Sequence, residues 1–440
     1  MADYEKYKNK ERKTNHMNIS ISGTGYVGLI QGVGLAKLGN KVICIDIDNE
    51  KVQKINRKEA PIYEKGLSAL LKQTVGKNLK ATTNLKKAIL STNITFVCVG
   101  TPSMVYGRIK LHEMERICHD VGEILKEKKT KHVVVIKSTV LPGTTESTVI
   151  PNLENASGKK FGKDFGVVMN PEFLREGSAL EDFFHPDRIV LGSSDPRSIA
   201  AVKQIYSKFK CPIIETKFKE AEMIKYAANS MLATKISFIN EVGNICKRMG
   251  IDTNTVARGI GLDYRIGPQF LVSGIGFGGS CFPKDVSALV HKSLELGYHP
   301  RILRAVLDVN KDQPLRFLDL VEESLGGLKG KRIAILGLTF KAGTDDVRES
   351  ASLSIIKEFI MQQAKLYIYD PMGMPPVKTL FPHLNYMKNA QEAVDQSEIV
   401  CILTEWPEFK ALNYGTKMVI DGKNIFDSDR RPQNYQGICW

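Results

Sequence analysis

The segment 276–285, GFGGSCFPKD, places Cys281 in a loop of glycines, where a substrate can approach the sulfur without meeting other side chains. Cys44, Cys98 and Cys401 lie instead inside apolar strand-like runs, where cysteine behaves as a small hydrophobe. Asp285 follows Cys281, and a helix starting near Pro283 brings its carboxylate within one turn of the sulfur. Lys284 adds a positive charge, expected to draw the thiol below its free value of about 8.5. Two further pairs share a helical spacing. Lys225 and Asn229 stand i, i+4 in a helix-forming run and face the same way. Glu172 and Glu176, in NPEFLREG just after a strand, repeat that spacing. Taken alone, each pair has the spacing of any solvated helix face, and a glycine-rich turn can hold an incidental cysteine.

A second constellation opens the chain. Gly23, Gly25 and Gly28 form GTGYVG directly after a strand and at the start of a helix. The first glycine permits the tight turn, the second lets a pyrophosphate reach the backbone, and the third allows close helix–strand packing. The helix N-terminus offers unpaired N–H groups to phosphate. Asp46, at the end of the second strand, can accept hydrogen bonds from a ribose 2′-hydroxyl, and its charge repels a 2′-phosphate, so NAD is expected rather than NADP. The turn Gly100-Thr101-Pro102 closes another strand on the same edge.

The elements that position these residues follow from periodicity. Strands are expected at 17–22, 41–47, 95–99, 132–137, 166–169 and 188–191, alternating with helical runs as in a parallel α/β sheet. From Lys219 to about Met249 good helix formers run without proline until Gly250. Met223, Ala227, Met231, Ile236, Ile239 and Val242 mark its apolar positions. A helix of that length bridges domains or presents a face to a second subunit. Alternation resumes with strands at 331–336, 366–369, 399–403 and 418–421. The expected class is therefore α/β, two Rossmann-like domains with parallel sheets joined by a long central helix and a helical dimerisation region. The boundaries are an aperiodic extension at 1–16, disordered or a mis-assigned start, a dinucleotide-binding domain at 17–210, a central domain carrying Cys281 at 211–315, and a C-terminal domain at 316–440.

Composition excludes other classes. A chain of 440 residues exceeds one core, and no apolar run is long enough to cross a bilayer. The charged N-terminus is no secretory signal, so the chain is expected to stay in the cytoplasm. A net charge of +14 raises the question of nucleic acid, but the basic residues are spread out and no recognition motif accompanies them, so no nucleic-acid partner is expected. None of the eight cysteines forms CxxC, and no metal site is expected.

GTGYVG, CVGTP, KSTVLPGTT, NPEFLREG, the Lys225–Asn229 pair, DYRIGPQFL, GFGGSCFPKD and GLTFKAGTDDVRES occur in an order that resembles the nucleotide-sugar 6-dehydrogenases, from about Met17 to the C-terminus. The resemblance implies a four-electron oxidation of a sugar C6 alcohol to a carboxylate, using two NAD+ in turn. It implies UDP-glucose as substrate and the C-terminal domain as the holder of the UDP-sugar. By position, Cys281 is the nucleophile that traps the C6 aldehyde as a thiohemiacetal and then carries a thioester. Lys225 and Asn229 stabilise the C6 oxygen, and Asp285, with Lys225 or an ordered water, is the base. Glu172 assists hydrolysis and Thr139 helps position water. The implied cofactor contacts are Gly23, Gly25, Tyr26, Val27, Gly28, Lys51 beside Asp46, Thr101, Thr139, Glu176, Lys284 and Arg348. The implied substrate contacts, besides Lys225 and Asn229, are Glu172, Phe173, Leu174, Arg175, Glu176, Phe270, Leu271, Gly274, Gly278, Lys341 and Lys423. Arg265 matches an arginine that reaches into a partner's site, which implies a homodimer or higher homo-oligomer.

The chain departs from the family pattern in three places. The segment SMVYGRIKL lacks the usual acidic residues, Val140-Leu141-Pro142 reorders a proline, and Lys423 stands where arginine is common and cannot make the same bidentate contact. Arg265-Ile266-Gly267 and Phe282 favour UDP-glucose over GDP-mannose or an N-acetylated UDP-sugar. A two-electron hydroxyacid dehydrogenase of similar layout would need no thiol. A non-catalytic nucleotide-sensing or scaffold protein on a dinucleotide fold would need none of the catalytic groups.

Overall fold

The computed structural model describes residues 16–104 and 107–440. Residues 1–15 of the N-terminal extension, and Val105 and Tyr106 of the SMVYGRIKL segment, lie outside the described residues.

Short apolar runs separated by helices build a first sheet from β1 (Asn18–Ser22), β2 (Lys41–Ile45), β3 (Leu79–Thr82), β4 (Ile94–Val97), β5 (His132–Ile136), β6 (Phe165–Met169), β7 (Ile189–Gly192) and β8 (Ile213–Thr216). Their order is β3-β2-β1-β4-β5-β6-β7-β8. Neighbours are parallel except β6 and β7, which meet antiparallel through Met169 and Gly192, so the sheet is mixed rather than purely parallel. The cause is the connection between them. It holds only the short helix Ala179–Phe184 and returns from the end at which β6 finishes, leaving NPEFLREG on the carboxyl edge.

The second sheet comprises β9 (Arg332–Leu336), β10 (Lys365–Tyr369), β11 (Asn385–Tyr386), β12 (Ile399–Ile402), β13 (Met418–Asp421) and β14 (Asn434–Gly437), all parallel in the order β11-β10-β9-β12-β13-β14. Sequence reasoning missed β3, β8, β11 and β14. All are edge or near-edge strands of two to four residues with polar positions, where pairing rather than hydrophobicity defines the strand. In both sheets the strand order reverses beside the first strand, at β1/β4 and β9/β12, which opens a crevice at the carboxyl ends.

Between the sheets runs the helix Phe218–Met249, ended by Gly250 at φ 69°. Its apolar positions do not form one core-facing stripe. Met223, Met231, Phe238, Ile245 and Met249 are between 41% and 68% exposed, and Ala227 is exposed too, while Ile239 is buried. The buried face carries Glu222, Lys225, Asn229, Ser230, Ser237 and Asn240. All of these but Ser230, whose hydroxyl is without a partner among the described residues, are spent on neighbouring segments. Glu222 accepts from Gly143 N at 2.6 Å and Thr145 N at 2.8 Å, and Ser237 donates to the Val306 carbonyl at 2.8 Å. The helices Phe282–Glu295 and Arg301–Leu325 pack beside it. Among the described residues no helix is long and apolar enough to cross a membrane.

Candidate active site

A cleft of about 900 Å³ runs along the carboxyl edge of the first sheet. The loop after β1 contributes Gly25, Tyr26 and Val27, the exit of β4 Gly100 and Thr101, and the exit of β5 Lys137 and Thr139. The segment after β6 adds Glu172, Leu174 and Glu176, the central region Ser280, Cys281 and Lys284, and the segment after β9 Arg348.

The β1 end of the cleft has the form of a dinucleotide site. Gly23 has φ +90°, and a Cβ there would lie 2.7 Å from the Cys98 carbonyl oxygen. A Cβ on Gly28 would lie 1.9 Å from the Gly23 oxygen. Gly25 is the N-cap of the helix Tyr26–Lys37 and caps it with no side chain, so the first-turn N–H groups are left for an anion. Space around Gly25 is open. Asp46 accepts from Thr24 N at 2.8 Å, Thr24 Oγ1 at 2.6 Å and Asp48 N at 3.0 Å. Burial alone would raise its carboxyl, but these bonds and Lys51 hold it below the usual value, so it stays anionic. Lys51 itself lies 3.8 Å from Asp48 and does not line the cleft. These residues fit NAD.

Cys281 is the N-cap of the helix Phe282–Glu295, and Asp285 N donates to its carbonyl at 2.9 Å. Burial pushes the thiol up, Glu172 and Asp285 push it further, and Lys225 opposes them without prevailing. The expectation that Lys284 lowers this thiol is therefore overturned. The Lys284 ammonium is held by Asp285 Oδ1 at 2.5 Å, and the cation that acts most on the sulfur is Lys225, with Arg348 also near enough to feel it. Lys225 Nζ lies 2.9 Å from Glu172 Oε1, both side chains at most 7% exposed. Burial would lower Lys225, but Glu172, Cys281 and Asp285 carry it above its usual value. Burial would raise Glu172, yet Lys225 and the Leu174 N–H, at 2.6 Å, bring it below. Asn229 Nδ2 donates to Asp285 Oδ2 at 2.6 Å. A thiol, an ammonium, an amide donor and two carboxylates thus converge, which is the equipment of covalent acyl chemistry.

Glu172 and Glu176 do not share a helix face, because the backbone after β6 is irregular through Ser178. They diverge: Glu172 meets Lys225, and Glu176 lies 3.4 Å from Arg348, which itself pairs with Asp346 at 2.6 Å. Burial and Asp346 push Glu176 up to about 7. Phe173 packs under Arg188, whose guanidinium is 3.7 Å from the ring centroid, and Arg175 turns outward to Asp182 at 2.6 Å. Phe270 sits at φ 65° with its ring 6.1 Å from that of Phe282. Leu271 is buried, and Gly274 N donates to Asn240 Oδ1 at 2.8 Å. Gly278 meets the second unit backbone to backbone, since a Cβ there would lie 2.2 Å from the Glu349 oxygen. Lys341 is held down by burial. Lys423 donates to the Phe340 carbonyl at 3.1 Å and lies 3.3 Å from Glu405. Arg265 is exposed, pairs with Asp263 at 2.5 Å and does not line the cleft. Thr139 lines it, its carbonyl accepting from Thr101 Oγ1 at 2.9 Å.

Sequence reasoning missed Glu64 and Lys137. Glu64 is buried, accepts from Tyr26, and ties the glycine loop to Gly177 N at 2.8 Å and Ala179 N at 2.9 Å. A glutamate in a PIYEKG turn gives no local sign of burial. Among the described residues no group of His, Cys, Asp and Glu is placed to hold a metal ion.

Three family models match in succession: the UDP-glucose/GDP-mannose dehydrogenase family NAD binding domain over residues 17–210, its central domain over 219–312 and its UDP binding domain over 334–428. A UDP-glucose 6-dehydrogenase of Haloferax volcanii is 43% identical over 419 residues, covering 93% of this chain and 97% of its own. A solved UDP-glucose dehydrogenase from the hyperthermophilic archaeon Pyrobaculum islandicum is 40% identical, with TM-score 0.94 over 98% of this chain and 100% of that one. A GDP-mannose dehydrogenase from Pseudomonas aeruginosa is 36% identical, with TM-score 0.57 over 96% of this chain and 100% of that one.

Lys225→Met should leave Glu172 buried without its partner and cost about 3–5 kcal/mol in urea-unfolding stability. Lys225→Met with Glu172→Gln should recover most of the loss. Because Glu172 is held below its unfolded value, its contribution is present at neutral pH and lost as pH falls through the folded value. The wild type should therefore lose more stability on acidification than the double variant. Equal acid sensitivity, or no recovery, would contradict the pairing.

Proposed function

The chain belongs to the UDP-glucose/GDP-mannose dehydrogenase family and is an NAD-dependent oxidoreductase, and from that premise we propose that it converts UDP-glucose to UDP-glucuronate through covalent intermediates on Cys281. The observation that carries this reading is the convergence of Lys225, Glu172, Asn229 and Asp285 on one thiol in the cofactor cleft. NAD+, held by the glycine loop, Asp46, Thr101, Thr139, Glu176, Lys284 and Arg348, supplies the hydride acceptor for each of two oxidations.

The chain's own groups do the rest. Lys225 and Asn229 donate to the C6 oxygen as negative charge develops on it. Asp285, by way of Lys225 or a water, takes up the alcohol proton. The Cys281 sulfur adds to the C6 aldehyde, forming a C–S bond as its S–H proton passes to the former carbonyl oxygen. The second oxidation removes the C6 hydrogen of the thiohemiacetal as hydride while its hydroxyl proton passes to Asp285, leaving a thioester. Water then adds to the thioester carbonyl with help from Glu172 and Thr139, the C–S bond breaks, and the carboxylate forms. Phe173, Leu174, Arg175, Phe270, Leu271, Gly274, Gly278, Lys341 and Lys423 shape the place of the nucleotide sugar between the central region and the second sheet.

UDP-glucose is favoured by the UDP binding domain match and by the higher identity and TM-score of the Pyrobaculum structure than of the GDP-mannose enzyme. The division into units 17–210, 211–315 and 316–440 accords with the matched spans. The exposed apolar stripe of Phe218–Met249, with Tyr264 93% exposed, supports a homodimer in which Arg265 enters the partner's site.

Purified protein should form two NADH per UDP-glucose consumed, with little from GDP-mannose or UDP-N-acetylmannosamine. Cys281→Ser should lower acid formation by at least about 10³-fold. One NADH per sugar, or turnover of a rival sugar alone, would overturn the assignment. Phe238→Glu should shift the protein to monomer in sedimentation and lower activity with it. An unchanged sedimentation coefficient would remove the long helix from the interface.

A further inference from the structure

Lys137 is a second buried ammonium in the site, and no step above uses it. It follows β5 directly, lines the cleft two residues before Thr139, and is 7% exposed. Its Nζ donates to Asn170 Oδ1 at 3.1 Å and points to the Pro171 carbonyl at 3.5 Å, both neutral acceptors. Asn170 cannot drift, because its Nδ2 donates to the Val190 carbonyl at 2.9 Å and its Oδ1 also accepts from Tyr206 at 2.6 Å. An ammonium taken out of water with only neutral partners is costly, and such groups concentrate where their charge is used.

The charge falls on Glu172, whose backbone follows Asn170 and Pro171. Glu172 faces Lys225 from the long helix, Lys137 from the end of β5 and Cys281 from the start of the following helix. Lys137 in turn faces Cys98 from the end of β4, Glu172 and Lys225, while Asp285 acts on Lys225 and Cys281. Burial pulls Lys137 down to about 8, so it stays mainly protonated at neutral pH.

Lys225 has two partners to serve. At rest it pairs with Glu172, and during the chemistry it donates to the C6 oxygen. A buried carboxylate that loses its cation tends to take up a proton, and a protonated Glu172 cannot accept one from water. We propose that Lys137 is a positioning residue that keeps Glu172 a carboxylate during thioester hydrolysis, by holding a second positive charge behind the Asn170–Glu172 segment. The proposal rests on the reading of Glu172 as the hydrolytic base. In that step the water oxygen forms a bond to C6, its proton passes to Glu172, the C–S bond breaks, and the sulfur leaves as the Cys281 thiolate, with no change of oxidation state.

The test is rapid-quench single turnover of UDP-glucose with excess NAD+ across pH, separating the two NADH-forming phases from release of the acid. Lys137→Met should slow acid release about 10- to 100-fold at pH 7 and move its acidic midpoint up by about one unit or more, so that higher pH restores the rate. The NADH phases and KM for UDP-glucose should change far less. Lys137→Arg, which keeps the charge, should retain the wild-type midpoint. Should Lys137→Met fail to fold, Lys137→Gln removes the charge while keeping a donor and serves the same test. All phases slowing together with no midpoint shift would show a packing role and overturn the proposal. Glu172→Gln, run in parallel, separates the two levels. If it releases acid at the wild-type rate, the base assignment fails and the proposal with it. If it is slow while the Lys137 variants keep the wild-type midpoint, the proposal alone fails.

Discussion

Moving a lysine and a glutamate out of water costs several kcal/mol for each charge, and Lys225 and Glu172 offset that cost by meeting at 2.9 Å. Much of the architecture exists to let them meet. Lys225 stands on a long helix whose inward face carries charged and amide groups among apolar ones, and Glu172 on a segment that turns back along the sheet edge instead of crossing over. The pair keeps both groups charged at neutral pH, Lys225 held high and Glu172 held low. Cys281 takes the opposite setting. Burial and the neighbouring carboxylates outweigh Lys225, so the thiol is protonated at rest and does not compete as an anion for the same cation.

The two sheets show what makes one of them a dinucleotide site. Each reverses its strand order beside the first strand, follows that strand with a glycine at positive φ (Gly23, Gly337), and follows the second with an aspartate (Asp46, Asp370). Asp370 is fully buried and accepts from the N–H groups of Leu338, Thr339, Met372 and Gly373 and from the Trp406 indole. Its capacity is spent on its own turn. Asp46 is only partly buried, accepts from Thr24 and Asp48, and keeps lone pairs to offer a ribose. The Gly278 contact with Glu349 then brings the loop that carries Cys281 onto the second unit, so the thiol lies where both sheets can reach it.

Interior strands such as β5 and β12 were legible because strands buried on both faces read as near-continuous apolar runs. The edge strands were not, since their pairing partners, not their composition, define them. The glycine loop and Cys281 declared themselves through residue types whose chemistry is local. The orientation of the long helix did not, because apolar residues lie on both faces, Tyr226, Ala233 and Ile239 inward and Met231, Phe238 and Ile245 outward, and charged and amide groups share the buried face. Lys284 misled for a related reason: charge adjacent in sequence was absorbed by Asp285, while the lysine that acts on the sulfur comes from a distant helix. Glu64 and Lys137 gave no sign, as burial of a single charged residue is a tertiary fact.

The central claim is that C6 is bonded to Cys281 before the acid is released. Its most direct test is peptide mass spectrometry on the Glu172→Gln enzyme, acid-quenched during turnover of UDP-glucose with NAD+. The peptide bearing Cys281 should carry the added mass of the nucleotide uronyl group and lose it to hydroxylamine. An unmodified Cys281 peptide, quenched after two NADH per site have formed and before acid appears, would contradict the account.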